Sequence, residues 1–246
     1  MKTFGLIGYP LTHSFSKRYF TEKFEREGIA GCRYELFELP DIQDFPALFV
    51  QHPDLAGLNV TIPHKLAVMP FLQALDASAE KVGAVNVIKI EPDGRLVGYN
   101  SDYYGFKQSL QDWLGTRLQQ PLQALLLGDG GATKAVKAAL TDLDITYQTV
   151  SRQAAEGKLT YTDLNEEIIS SHQLIINCSP LGTYPNINTC PDIPYQYLTP
   201  QHFLYDLVYN PAETLFMTKG LAQGATVING LPMLQLQAEK AWEVWN

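Results

Sequence analysis

Apolar positions in the first hundred residues recur at spacing two, then at spacing three to four, and the two patterns alternate. "TFGLIG" reads as a strand. "FSKRYFTEKFEREG" places Tyr19, Phe20 and Phe24 on one helical face and ends at Gly28, a suitable C-terminal cap. "RYELFEL" alternates as a strand, and "IQDFPALFVQ" predicts a helix whose first turn lies near Pro46. In "GLNVTIPHKL", Leu58, Val60 and Ile62 form one apolar strand face, and Pro63 stops the ladder because it lacks an N–H. "KLAVMPFL" then predicts a turn or two of helix, so Lys65 falls at a helix start. "AVNVIKI" and "RLVGYN" flank the turn signal "EPDG" and predict a hairpin. Strands separated by helices imply a mostly parallel, covered sheet, and the hairpin makes it mixed.

The pattern restarts after a connecting helix, "DYYGFKQSLQDWLG". The strands are "LQALLLG", "TYQTVS", "QLIINC", "FLYDLV" and "ATVIN". The helices are "GATKAVKAAL", a stretch around 162–171, and "AETLFMTKGLAQG". The chain ends on an amphipathic helix, "LPMLQLQAEKAWEVW". Residues 178–200, rich in Pro, Asn and Thr, form a loop long enough to suggest a functional role.

Composition narrows the reading. The 246 residues suffice for one large or two small domains, each with a core. No apolar run reaches the ~18 residues of a membrane span, and "MKTFGLIGYP" enters a strand without a leader and cleavage site, so a cytoplasmic protein is expected. A net charge of −8 argues against nucleic acid, and any anionic ligand needs its own positive pocket. Cys32, Cys178 and Cys190 lack metal-type spacing, so neither a disulfide framework nor a metal site is expected. Cys178, in the apolar run "LIINC", reads as a buried inert thiol.

Two places carry chemistry. "LLLGDGGATKAVKAAL" runs from strand through Gly128, Asp129, Gly130 and Gly131 into a helix, the context in which glycines let a backbone approach a pyrophosphate at a helix N-terminus. Thr133 stands where the third glycine of G-x-G-x-x-G falls. Asp129 is unfavourable beside a pyrophosphate unless it points away. The next strand ends in Ser151, Arg152 and Gln153, without the acid that binds a ribose 2′-hydroxyl; a guanidinium there suits a 2′-phosphate and favours NADP over NAD. Lys158 could assist and Glu156 would oppose. The second place is Lys65. A cation is disfavoured at a helix start unless an anion is near, and Asp102, read at the end of the "RLVGYNSD" strand, is the candidate partner. Such a pair can move a proton to and from a hydroxyl or carbonyl oxygen. A surface lysine lying over the sheet edge is the alternative. Ser14, Ser16, Asn59, Thr61 and Asn86 sit at other strand ends, suiting a small polyhydroxylated acid, although each alone also fits a cap or turn. His13 and His64 read as structural.

In order and register, these blocks resemble the shikimate dehydrogenase family over essentially the whole chain. "GYPLTHSFS" is similar to its Ser-x-Ser start, "NVTIPHK" to its lysine block, and "GAVNVI" and "GRLVGYNSDYYG" to the next two. "GDGGA", "SRQ", "NCSPLG", "YDLVYNP" and "NGLPMLQLQA" resemble the remainder. The resemblance implies an α/β fold of two domains: an N-terminal mixed α/β substrate domain, 1–101 plus 231–246, and a Rossmann-like NADP-binding domain, 102–230. It implies reversible reduction of 3-dehydroshikimate to shikimate with NADP, on the route to chorismate and aromatic amino acids. Lys65 and Asp102 are then the catalytic pair. Ser14, Ser16, Asn59, Thr61, Asn86, Tyr209 and Gln237 hold the substrate. Gly128, Gly130, Gly131, Ala132, Ser151, Arg152 and Gly230 hold the cofactor. The implied partners are a small-molecule substrate, with no nucleic acid or membrane, and the chain is a monomer or homodimer. Lys17 stands in place of the family's proline, Ser101 in place of its threonine, and "SRQ" lacks its second basic residue at close spacing. A quinate-acting, NAD-using paralogue, a non-catalytic binder of the same fold and a folate-linked dehydrogenase are the other readings.

Overall fold

Two sheets form, one mixed and one parallel, each in its own unit. The computed structural model describes residues 1–11 and 14–246. The chain divides into a first unit, Met1–Tyr104 with Gln237–Asn246, and a second, Gly105–Leu236.

The first unit runs β1 (Lys2–Gly8), α1 (Phe15–Arg26), β2 (Cys32–Glu38), α2 (Ala47–Gln51), β3 (Leu55–Val60), α3 (His64–Ala67), β4 (Ala74–Leu75), α4 (Ala77–Val82), β5 (Val87–Ile90), β6 (Leu96–Tyr99) and the start of α5 (Ser101–Leu114). Its strands order as β2-β1-β3-β5-β6-β4. β1 lies parallel between β2 and β3, and β5 and β6 form the antiparallel hairpin. Six of the seven residues of β1 are buried, as a central strand covered on both faces requires. Ser14 caps α1, accepting the Lys17 N–H at 3.2 Å.

The final helix, α9 (Leu231–Trp245), returns to this unit through its last turns. Lys23, buried on α1, donates to Glu239 at 2.7 Å and to Glu27 at 3.0 Å, pinning α9 to α1. Trp245 stacks on Phe4 with ring centroids 4.9 Å apart, and its indole N–H donates to the Ile88 carbonyl at 3.0 Å. Gly57 on β3 makes room for it: a Cβ there would lie 2.3 Å from the indole.

The second unit runs β7 (Gln123–Leu127), α6 (Gly131–Asp142), β8 (Thr146–Ser151), β9 (Lys158–Thr160), α7 (Glu166–Ser171), β10 (Leu174–Asn177), β11 (Phe203–Asp206), α8 (Leu215–Leu221) and β12 (Thr226–Ile228) before α9. Its strands are parallel and order as β12-β11-β10-β7-β8-β9. In chain order from the first strand this is 3-2-1-4-5-6, the doubly wound order whose switch point, here between β7 and β10, opens a crevice beyond the strand ends.

Four details differ from the pattern. Ile62 lies beyond the end of β3 and is exposed, whereas Leu58 and Val60 are buried. Asp102 is in the first turn of α5, not at a strand end, because Asn100 caps that helix by accepting the Tyr103 N–H at 3.0 Å. The stretch near 162 is a 3-10 turn, Tyr161–Asp163, closed by a Thr160–Asp163 capping box, and α7 starts only at Glu166. α8 starts after Thr214, whose hydroxyl accepts the Met217 N–H at 3.3 Å.

Candidate active site

Lys65 lies in the first turn of α3, and its ammonium donates to Asp102 Oδ2 at 2.5 Å. The side chains are 25% and 11% exposed, so the pair is largely withdrawn from solvent without being sealed from it. Helix length explains how a cation tolerates that place. α3 has four residues and a small dipole, whereas Asp102 opens the fourteen-residue α5, whose free amides favour a carboxylate. The anion is held by its own helix and in turn holds the lysine. The Lys65 carbonyl accepts the Val85 N–H at 2.9 Å, which ties α3 to the "GAVN" segment.

Three of the predicted polar residues of this unit, Asn59, Asn86 and Gln237, are joined by hydrogen bonds. Tyr34 donates its hydroxyl to Asn59 Oδ1 at 2.7 Å, and Asn59 Nδ2 reaches the Asn86 carbonyl at 3.4 Å. Asn86, buried, donates to Ser101 Oγ at 3.1 Å and Gln237 Oε1 at 3.3 Å, and its Oδ1 accepts the Ser101 N–H at 2.6 Å. Asn86 and Ser101 therefore fix the start of α5, and Asp102 with it. Thr61 follows β3, its N–H on the Ile7 carbonyl at 2.9 Å. Ser14 is the α1 cap and Ser16 lies in that helix's first turn. Lys17 pairs with Glu35 at 2.9 Å, so its replacement of proline gives α1 an anchor to β2. His64 is buried, 2.6 Å from the Leu39 carbonyl, in a structural role; His13 lies outside the described residues.

In the second unit a cavity of about 660 Å³ opens over the switch point, lined from the ends of β7, β8 and β10. Gly128, Gly130, Ser151, Arg152 and Cys178 all face it. Gly128 has φ +112°, and a Cβ there would lie 3.3 Å from the Ser179 amide nitrogen. Among the described residues no atom lies within 4 Å of a Cβ position at Gly130 or Gly131, so no packing among them demands glycine there; the open space lies at the N-terminus of α6, which Ala132 continues. Thr133 is buried and donates to the Gly128 carbonyl at 3.2 Å, which explains the absent third glycine. Burial pushes the Cys178 thiol up to about 12, so it is inert at neutral pH.

Asp129 does not point away from this cavity. It lines it, its charge compensated by Lys137 at 2.8 Å and by Lys158 on its other oxygen. Those two ammoniums, Lys137 first, hold its carboxyl below the usual range. This arrangement was not legible in sequence, because Lys137 lies two helical turns away and Lys158 arrives on another strand.

Asp206 is a second feature that the chain's pattern does not single out. It ends β11 fully buried and accepts from Asn177 Nδ2 at 2.9 Å, the Val208 N–H at 3.0 Å and the Thr214 hydroxyl at 2.5 Å. Asn177 in turn accepts from the Ser179 hydroxyl at 2.6 Å, so Asp206 anchors the "NCSP" wall of the cavity. Burial outweighs the donated hydrogen bonds and lifts its carboxyl to about 6. An acid closing an apolar strand in "FLYDLV" was the available signal. Gly230 has a structural reason of its own: a Cβ would lie 2.2 Å from the Leu207 carbonyl oxygen. Tyr209 follows β11 and is 37% exposed. Among the described residues no helix is long and apolar enough to cross a membrane.

A doubly wound nucleotide-type unit, joined to a mixed-sheet unit bearing a Lys–Asp pair among amides and hydroxyls, defines a two-domain α/β protein with a Rossmann-like half. Residues 6–88 match the family described as the shikimate dehydrogenase substrate binding domain. A shikimate dehydrogenase (NADP(+)) of Geobacillus kaustophilus is 37% identical, over 99% of this chain and 92% of that protein. The chorismate mutase/shikimate 5-dehydrogenase fusion protein of Clostridium acetobutylicum superposes with a TM-score of 0.88 at 33% identity, covering 100% of this chain and 91% of that one. Shikimate 5-dehydrogenase of Thermus thermophilus, solved with NADP(H) and shikimate, gives 0.85 at 28% identity, covering 100% and 93%. The chain belongs to the shikimate dehydrogenase family.

Proposed function

We infer that this chain is an NADP-dependent shikimate dehydrogenase, reversibly reducing 3-dehydroshikimate to shikimate on the route to chorismate. The observation that carries the reading is the 2.5 Å contact between Lys65 and Asp102, at a helix start that Asn86 fixes through Ser101 while also bonding Gln237. NADP fits the second unit: the open glycines before α6 suit a pyrophosphate, and Arg152 suits a 2′-phosphate. When bound, the nicotinamide supplies or accepts the hydride.

The protein's own part is binding and proton movement. Lys65 Nζ donates a hydrogen bond to the substrate's carbonyl oxygen and stabilises the negative charge that develops there. In reduction the ammonium gives that oxygen its proton; in oxidation the amine takes the hydroxyl proton. Asp102 stabilises the ammonium and fixes its direction, and the pair's exposed edge lets Lys65 exchange its proton with water. Ser14, Ser16, Asn59, Thr61, Asn86 and Gln237 supply donors and acceptors for a carboxylate and hydroxyls.

Steady-state rates of the purified chain with shikimate and quinate, each with NADP and NAD, test the reading. Shikimate with NADP should give the highest kcat/KM. Preference for quinate or for NAD would replace it with the paralogue reading, and no turnover of either acid would leave a binder.

A further inference from the structure

Among the described residues Arg152 makes no ion pair, while Asp129, in the same cavity, holds two lysines. A carboxylate carries one negative charge and here faces two ammoniums, so the group Lys137–Asp129–Lys158 carries a net +1. Strand pairing produces this. The parallel β8–β9 register sets Thr149 opposite Lys158 and Ser151 opposite Thr160, and Lys158 and Arg152 both line the cavity beyond these strands. The "SRQ" segment lacks a second basic residue at close spacing, and the fold supplies one from seven residues beyond Ser151.

We propose that Asp129 is an internal stand-in for the cofactor's 2′-phosphate: in the free chain it holds Lys158 in the cavity that Arg152 also lines, and it yields Lys158 to the phosphate, while Lys137 stays on the carboxylate. Lys158 is thereby the second cationic determinant of NADP over NAD. The exchange is inexpensive. The Lys158–Asp129 pair is 30% exposed at each side chain, and a half-wet pair contributes little. A phosphate offers Lys158 more charge and more acceptor oxygens than the carboxylate it leaves. Lys137, on the second turn of α6, keeps Asp129 compensated, so no bare carboxylate faces the incoming anion.

The proposal rests on the NADP reading above. Calorimetric titration of the full chain with NADP⁺ and with NAD⁺ tests it without turnover. Lys158→Gln should raise the Kd for NADP⁺ about tenfold, the loss of one charge-assisted contact, and leave that for NAD⁺ within about twofold. Asp129→Asn should lower the Kd for NADP⁺ about threefold, since the internal competitor is gone. Lys158→Arg, which keeps the charge, should retain NADP⁺ affinity and carries the test if the glutamine variant does not fold. Equal weakening of both nucleotides by Lys158→Gln, no change in either, or weaker NADP⁺ binding in Asp129→Asn overturns the proposal while the cofactor reading stands. Tighter binding of NAD⁺ than NADP⁺ by the unsubstituted chain overturns both.

Discussion

Each unit sets a carboxylate against lysine, and the two use the same chemistry differently. Asp102 has one lysine, at 2.5 Å, in a corner where the carboxylate is 11% exposed and sits at the start of a long helix. Asp129 has two, both side chains about as exposed as its own, in a glycine turn. The first pair is directional: one donor faces one acceptor in a partly buried corner. The second is compensating: more positive charge than the carboxylate requires, in the lining of a cavity. Number of partners and degree of burial separate the two carboxylates. Asp206 completes the series. Its hydrogen-bond donors are all neutral, and burial dominates it.

The largest test of the contrast removes the directional lysine. Lys65→Ala should lower kcat about a thousandfold, some 4 kcal/mol in the barrier, with KM for shikimate changed only a few-fold. Unchanged kcat in a stopped-flow assay would end the assignment. Asp102→Asn, which keeps the shape and removes the charge, should lower kcat about a hundredfold. An equal fall in shikimate binding would make Asp102 a substrate contact instead of a partner for Lys65.

The next test concerns Asp206 and pH. Its folded-state value, about 6, lies above that of an unfolded chain. The stability it contributes is therefore full below about pH 4 and is lost as pH rises through about 6, roughly 3 kcal/mol in all. Asp206→Asn cannot titrate. Urea denaturation of both proteins from about pH 4 to about pH 7 should show unsubstituted stability falling by that amount relative to the variant. A constant difference across the range would mean the carboxyl titrates normally.

The smallest effect belongs to the compensating group. Asp129→Asn should change unfolding stability by less than about 1 kcal/mol, because partly exposed pairs contribute little. A loss of several kcal/mol in the same denaturation experiment would make the bridge part of the fold.

The sequence foreshadowed the order of strands and helices well where periodicity was long. The hairpin around "EPDG" and the final helix from Leu231 to Trp245 are both as expected. Strands β4 and β9, two and three residues long, carry no readable alternation. Asp102 was placed one element early, because "RLVGYNSD" continues a strand-like run while the Asn100 cap that ends it is a single side chain. The Lys65–Asp102 pairing could be anticipated because both lie in polar blocks at element ends. The two lysines on Asp129 could not, since 8 and 29 residues separate them from it and only the β8–β9 register makes the second a neighbour. Composition likewise says nothing of Asp206, whose shifted carboxyl depends on what surrounds a strand end.

The seating of Trp245 bears on the order in which this protein is made. The indole fills the gap left by Gly57, and Glu239 partners the buried Lys23, yet a ribosome reaches both only after the entire nucleotide-type half. Until then the early-made sheet lacks its final aromatic neighbour, and the Lys23 ammonium has Glu27 but not its second carboxylate. The later-synthesised half, continuous from Gly105 to Leu236, can close its own core before the earlier one is finished. A nascent chain halted short of Glu239 should thus expose Phe4 and Phe20 to chaperones.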